Sequence, residues 1–175
     1  MLNNKNVVIT GCNQGIGKAT MELFAKNHAN IWACSRSKNK DFLSYCSNIS
    51  KKNNIKIKNI FFDLSDLEEV KIAAKKIISE IGNIDVLVNN AGIIETSLFQ
   101  MTKIEKIKEM FEINFFSQLE FTQAIIKKMI NKNPGSIINI SSTAGIDAVE
   151  GRIGYSATKS SLNIFSKILA KELSR

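Results

Sequence analysis

The chain is poor in proline, histidine, tryptophan and cysteine: its 175 residues include one Pro, one His, one Trp and three Cys. No proline-rich linker and no low-complexity stretch divides it, so one domain with its own core is expected over residues 1–175. Cys12, Cys34 and Cys46 have neither CxxC nor zinc-finger spacing, and scattered thiols without a signal peptide point to a reducing compartment. The lone His28 follows a helix-like segment in Lys26-Asn-His-Ala29, where a polar cap is ordinary, and no metal site is expected. Apolar runs stay at strand length, so no membrane partner is expected and the reading is a soluble protein of the cytoplasm. Carboxylates are outnumbered, 16 Asp and Glu against 24 Lys and Arg, leaving a net charge of +8. Such an excess suits nucleic acid, a membrane surface or an acidic protein. Here the lysines are dispersed over helix faces, as in Lys103-Ile-Glu-Lys-Ile-Lys108, without the aromatic interleaving that stacks bases. No nucleic acid partner is expected, and an acidic protein partner stays open.

What is present is an unbroken alternation. Strands are expected near 6–10, 30–35, 55–62, 84–89 and 136–141, and helices near 15–27, 39–50, 66–81, 103–131 and 153–173. That order implies an α/β fold, a parallel sheet covered by helices on both faces, with binding at the carboxyl ends of the strands. The first, fourth and fifth strands are almost wholly apolar, as strands buried on both sides should be. Ser65-x-x-Glu68 reads as a capping box for the third helix.

Three groups of residues carry chemistry. The first strand turns through Gly11-Cys-Asn-Gln-Gly15-Ile-Gly17 into a helix, and glycines at such a turn allow positive φ and close approach of an anion to free N–H groups. Cys12 either fills space in that turn or offers a modifiable thiol. The second strand, Asn30-Ile-Trp-Ala-Cys-Ser35, ends at Ser35-Arg36, where a dinucleotide fold reads the adenosine ribose. An arginine in place of a carboxylate favours a 2′-phosphate, hence NADPH over NADH; the other reading is an ordinary surface residue in the basic stretch Arg36-Ser-Lys-Asn-Lys40. Tyr155 and Lys159 stand one helical turn apart, about 6 Å, so the ammonium can stabilise a phenolate. Ser142 lies upstream of them, past the apolar run that begins at Ser136.

Together, Thr10-Gly-Cys-Asn-Gln-Gly-Ile-Gly17, Asn89-Asn-Ala-Gly92, Asn114, Ser142 and Tyr155-x-x-x-Lys159 resemble the short-chain dehydrogenase/reductases of the shorter, soluble branch, over the whole chain. The resemblance implies a doubly wound Rossmann fold, three-layer α/β/α. It implies Tyr155 as proton donor to a substrate carbonyl, Lys159 as its electrostatic partner and holder of the nicotinamide ribose, and Ser142 as the group polarising the carbonyl oxygen. Asn114 would hold a water linking Lys159 to solvent. Cofactor-binding residues by the same resemblance are Gly11, Asn13, Gln14, Gly15, Ile16, Gly17, Ser35, Arg36, Asp63, Leu64, Asn90, Ala91 and Gly92, with Tyr155 and Lys159. Asp63 would bond the adenine amino group, or start the turn before the third helix, or both. Asn89 and Asn90 would lie under the adenine ribose and steady the sheet.

The nearest common type in the family is the 3-oxoacyl-carrier-protein reductase, which suggests an acyl-thioester carbonyl on an acidic carrier protein. Glu95, in Ile93-Ile-Glu-Thr96, departs from the arginine-containing turn usual there. A reductase of sugars, steroids or small ketones would carry the same catalytic residues. Family members form homodimers or homotetramers and continue beyond the Tyr155 helix into further strands and a substrate loop, so a C-terminally incomplete domain with impaired activity is expected. A non-catalytic dinucleotide-binding or scaffolding module is the alternative from another class.

Overall fold

A computed structural model describes residues 2–129 and 135–174. Within them five parallel strands form one sheet: β1 (Asn6–Thr10), β2 (Asn30–Ser35), β3 (Ile57–Phe61), β4 (Val86–Asn89) and β5 (Ser136–Asn139). Their spatial order is β3-β2-β1-β4-β5. The helices are α1 (Gly15–Lys26), α2 (Lys40–Asn53), α3 (Leu67–Glu80), α4 (Ile104–Phe111), α5 (Ser117–Met129) and α6 (Ile153–Leu173). Chain order runs outward from β1 through β2 to β3, and the following strands lie on the other side of β1. The reversal between β1 and β4 opens a crevice at their carboxyl ends.

The β-branched run Val7-Val8-Ile9 is fully buried because β1 is paired on both edges and covered on both faces. Its side chains alternate between two apolar layers, as the period of a strand requires. Val8 joins Trp32 and Leu87 under Val70, Ala74 and Ile77 of α3 and Phe121 and Ile125 of α5. Val7 and Ile9 join Ile31 and Val88 under Met21 and Ala25 of α1 and Phe42 of α2. Each Val, Ile, Leu, Phe or Met among them contributes roughly 1.5–3 kcal/mol of transfer free energy when fully buried, and each Ala less. Helix α6 packs beside α4.

Four expectations are corrected. The helix expected over 103–131 is three pieces, because a π turn over Glu112–Phe116 separates α4 from α5; residues 130–131 lie outside the described residues. The helix expected to stop at 50 runs on to Asn53 and closes with Asn54 in the left-handed conformation, φ 51°. β5, whose apolar run suggested burial on both faces, is partly open to solvent: it is an edge strand, as β3 is on the other side, and its Ile138 is 40% exposed. The cap of α3 is Asp66, whose carboxylate accepts from Glu68 N and Glu69 N, while Ser65 turns back to Asp63.

Candidate active site

The turn after β1 is held by side chains from the neighbouring strand. Asn90 Nδ2 donates to Thr10 O at 2.9 Å and to Gly11 O at 3.2 Å. The buried Thr10 Oγ1 accepts from Asn90 N and Ala91 N at 3.0 and 3.1 Å. Gly11 has φ +72°, and a Cβ on Gly17 would overlap the Gly11 carbonyl oxygen, so both positions require glycine. Gly15, φ +54°, has nothing within 4 Å of where its Cβ would stand apart from its own neighbours along the chain. Gln14 makes no side-chain cap and the first turn of α1 has no acidic residue, so its N–H groups stay open to an anion. Helices α2 and α3, by contrast, are capped by Asn39 and Asp66 with acidic residues in their first turns. Cys12 is buried with its thiol donated to Ile9 O at 3.1 Å, and burial pushes its pKa well up. It fills the turn and does not offer a thiolate.

Beyond β2, Ser35 is buried and Arg36 is exposed. After β3, Asp63 Oδ1 accepts from Ser65 N and Ser65 Oγ, both at 2.8 Å, so this carboxylate builds its own turn. Asn89 is committed to the sheet: its Nδ2 donates to Thr122 Oγ1 and Asn139 Oδ1, both at 2.8 Å.

The remaining residues gather around Tyr155. Asn114, fully buried in the π turn, accepts from Ile93 N and donates to Ile93 O, both at 2.8 Å, and donates to Thr158 Oγ1 at 3.2 Å. Thr158 Oγ1 in turn donates to Tyr155 O at 2.7 Å. Lys159 is 3% exposed; its Nζ donates to Ile140 O at 2.7 Å and lies 5.7 Å from the centroid of the Tyr155 ring. Desolvation lowers its pKa from the ordinary lysine value of 10.5. Ser142 Oγ accepts from Ala144 N at 3.2 Å as the cap of a short 3₁₀ turn over Thr143–Gly145.

One cleft of about 570 Å³ brings most of these groups together. Gly11, Asn13, Gln14, Gly15 and Ile16 line one wall, Ser35, Arg36, Asp63 and Leu64 one end, and Asn90, Ala91, Gly92, Tyr155 and Lys159 the rest. Gly17, Asn114 and Ser142 do not line it; Gly17 and Asn114 are buried behind it, and Ser141 lines it in place of Ser142. Lining residues that the sequence reading did not assign to the site include Thr10, Ser37, Ile94, Ile113 and Ile140. Thr10 and Ile140 follow from topology, since each sits at the carboxyl end of a strand beside the crevice.

The family model for short chain dehydrogenases matches residues 5–175. The chain belongs to this family. It is 35% identical over 175 residues to a 3-oxoacyl-[acyl-carrier-protein] reductase of Chlamydia muridarum, covering 99% of this chain and 69% of that protein. It is 33% identical over 172 residues to dehydrogenase/reductase SDR family member 7B of Xenopus laevis, covering 96% and 53%. The solved structure of L-sorbose reductase from Gluconobacter frateurii, complexed with NADPH and L-sorbose, is similar with a TM-score of 0.92 and 28% identity, over 98% of this chain and 65% of that one. The chain thus spans 53% to 69% of the length of these two curated relatives. The short-chain dehydrogenase family comprises oxidoreductases that bind NAD(P), and the parallel sheet belongs to its Rossmann fold. Among the described residues no helix is long and apolar enough to cross a membrane.

Proposed function

We propose that the protein reduces a carbonyl to an alcohol with NADPH, Tyr155 being the proton donor. The observation that carries this reading is the convergence of the glycine turn, Arg36 and the Tyr155–Lys159 pair on one cleft. The lining fits a dinucleotide: Gly15 leaves the open N-terminus of α1 free, where a pyrophosphate would sit, Asp63 and Leu64 line the end that would take the adenine, and Asn90, Ala91 and Gly92 line the wall that would border the ribose. NADPH, when bound, supplies the hydride. As negative charge builds on the substrate oxygen, the Tyr155 hydroxyl gives it a proton and the Ser142 hydroxyl donates a hydrogen bond. Lys159 brings a cation to 5.7 Å from the phenol ring centroid and would hold the nicotinamide ribose. Asn114 Oδ1 and Lys159 Nζ both lie within 3.8 Å of the point where a Gly92 Cβ would be, which supports a water held there for proton exchange with solvent.

Similarity to the Chlamydia muridarum enzyme makes 3-oxoacyl thioesters, with an acidic carrier protein as partner, the first substrate class. Similarity to the L-sorbose reductase keeps sugars and small ketones next. The test is loss of NADPH absorbance with an acetoacetyl thioester, a keto sugar and a steroid ketone; consumption with at least one is expected. Binding of NADPH without consumption on any would favour a second reading, a dinucleotide-binding scaffold, which draws on the position of Ser142 outside the cleft lining. For the cofactor, Arg36→Asp is expected to weaken NADPH binding by roughly 10- to 100-fold, the scale of a lost charge-assisted hydrogen bond, and to leave NADH binding unharmed. An unchanged NADPH preference would remove Arg36 from the site. A second copy of the chain is the assembly partner we infer for the α5–α6 side, where Phe116, Ile164 and Ile168 are 51%, 56% and 49% exposed.

A further inference from the structure

The loop that carries Ser142 is fastened to α6 at both ends. At its start, Ile140 O accepts from Lys159 Nζ at 2.7 Å, and Ser141 Oγ donates to Lys159 O at 3.3 Å. At its end, the Gly145 carbonyl accepts from Ser160 Oγ at 2.8 Å and Asn163 Nδ2 at 3.3 Å. Gly145 also packs so closely on the helix that a Cβ there would meet the Lys159 carbonyl carbon at 2.9 Å and Lys159 Cβ at 3.0 Å. Between these ends the turn bonds only to itself in the described hydrogen bonds: Ala144 N to Ser142 Oγ, Gly145 N to Ser142 O, and Ile146 N and Asp147 N to Thr143 O. Besides the packing of the buried Ala144 and of Gly145, the described hydrogen bonds from its far end to α6 all run through the Gly145 carbonyl.

We propose that Asn163 and Ser160 are positioning residues that set the distance of Ser142 from Tyr155 by holding the Gly145 carbonyl on α6. The two donors are three positions apart and share a helix face, and one carbonyl oxygen has two lone pairs to receive them. They sit on the same helix as Tyr155 and Lys159, so the clamp references the Ser142 loop to the element that carries the acid. The catalytic consequence rests on the reductase reading above; the geometric one does not. Ser160 is exposed and Asn163 half-buried, and alanine is the better helix former at both positions, so the double variant Ser160→Ala/Asn163→Ala is expected to fold.

Residue-resolved hydrogen exchange tests the clamp directly. The amides of Ala144, Gly145, Ile146 and Asp147 are expected to exchange about tenfold faster in the double variant, while those of β4 and of α6 after Asn163 keep their wild-type rates. In carbonyl reduction kcat is expected to fall about tenfold or more with the KM for NADPH unchanged, since misplacement of a reacting group on the scale of 1 Å costs up to about 10²-fold. Ser160→Thr, which keeps a hydroxyl, is expected to restore both readouts when Asn163 is present. Unchanged exchange at 144–147 overturns the proposal whatever the rate, and so does an unchanged kcat. A wild-type protein that reduces no carbonyl overturns the reductase reading instead, and exchange alone then decides the clamp.

Discussion

Single positions in the cleft tolerate very different changes. A methyl group on Gly17 would run into the Gly11 carbonyl and Asn90 Nδ2, which are themselves bonded, so neither can move away cheaply. Gly17→Ala is expected to cost roughly 1–3 kcal/mol, read by urea unfolding, and to abolish NADPH binding. Gly15→Ala meets no atom within 4 Å and carries only the strain of φ +54°, about 1 kcal/mol. Equal losses at the two positions would contradict the close approach at Gly17. Lys159 makes a prediction in pH. Its pKa is lowered by burial from 10.5, so between that lowered value and 10.5 the unfolded chain binds more protons than the folded one. Stability therefore rises with pH across that window, and the cost of burying the ammonium is full below it. Urea unfolding in that range should show the rise in the wild type and its absence in Lys159→Met. A rise of the same size in both would assign it to another group.

At the scale of elements, the caps were only half legible. Ser65 and Glu68 have the right types and spacing for a capping box, but Asp66 and Glu69, one position on, have them too, and Asp63 attracts Ser65 away. The observed pair is Asp66 on the helix N–H groups and Glu69 Oε2 accepting from Asp63 N at 2.8 Å. Asp66→Ala is expected to lose about 1 kcal/mol by thermal unfolding and Ser65→Ala much less; the reverse order would restore the first reading. The π turn was not legible at all. Glu112–Phe116 is flanked by good helical sequence, and what widens the helix is long-range: Asn114 bonds both backbone groups of Ile93. Resemblance singled out Asn114 as the holder of a water, but its bonds to Ile93 and Thr158 had no local signal. Thr10 and Thr158 were missed as positioning groups for the same reason, because their partners lie in other elements.

For the whole molecule, the alternation of strand and helix was enough to expect the doubly wound sheet, since β-branched runs and helical periodicity are local signals. How far β5 would be covered was harder to see: its Ile137 and Ile138 read like the buried run of β1, yet it has a neighbour on one side only and Ile138 is 40% exposed. The exposed apolar side of α6, Ile164 and Ile168 one turn apart near the Phe115–Phe165 contact, belongs to the same scale. Sedimentation is expected to find an oligomer that Ile168→Glu weakens; a wild-type monomer would remove the second copy from the account. The central claim is that Tyr155 is the acid of a carbonyl reductase, and it is tested most directly by comparing wild type and Tyr155→Phe for NADPH binding and for NADPH consumption with the best carbonyl substrate. In Tyr155→Phe, NADPH binding is expected to stay within about threefold of wild type and consumption to fall by at least about 10²-fold. Consumption at the wild-type rate in Tyr155→Phe would contradict it.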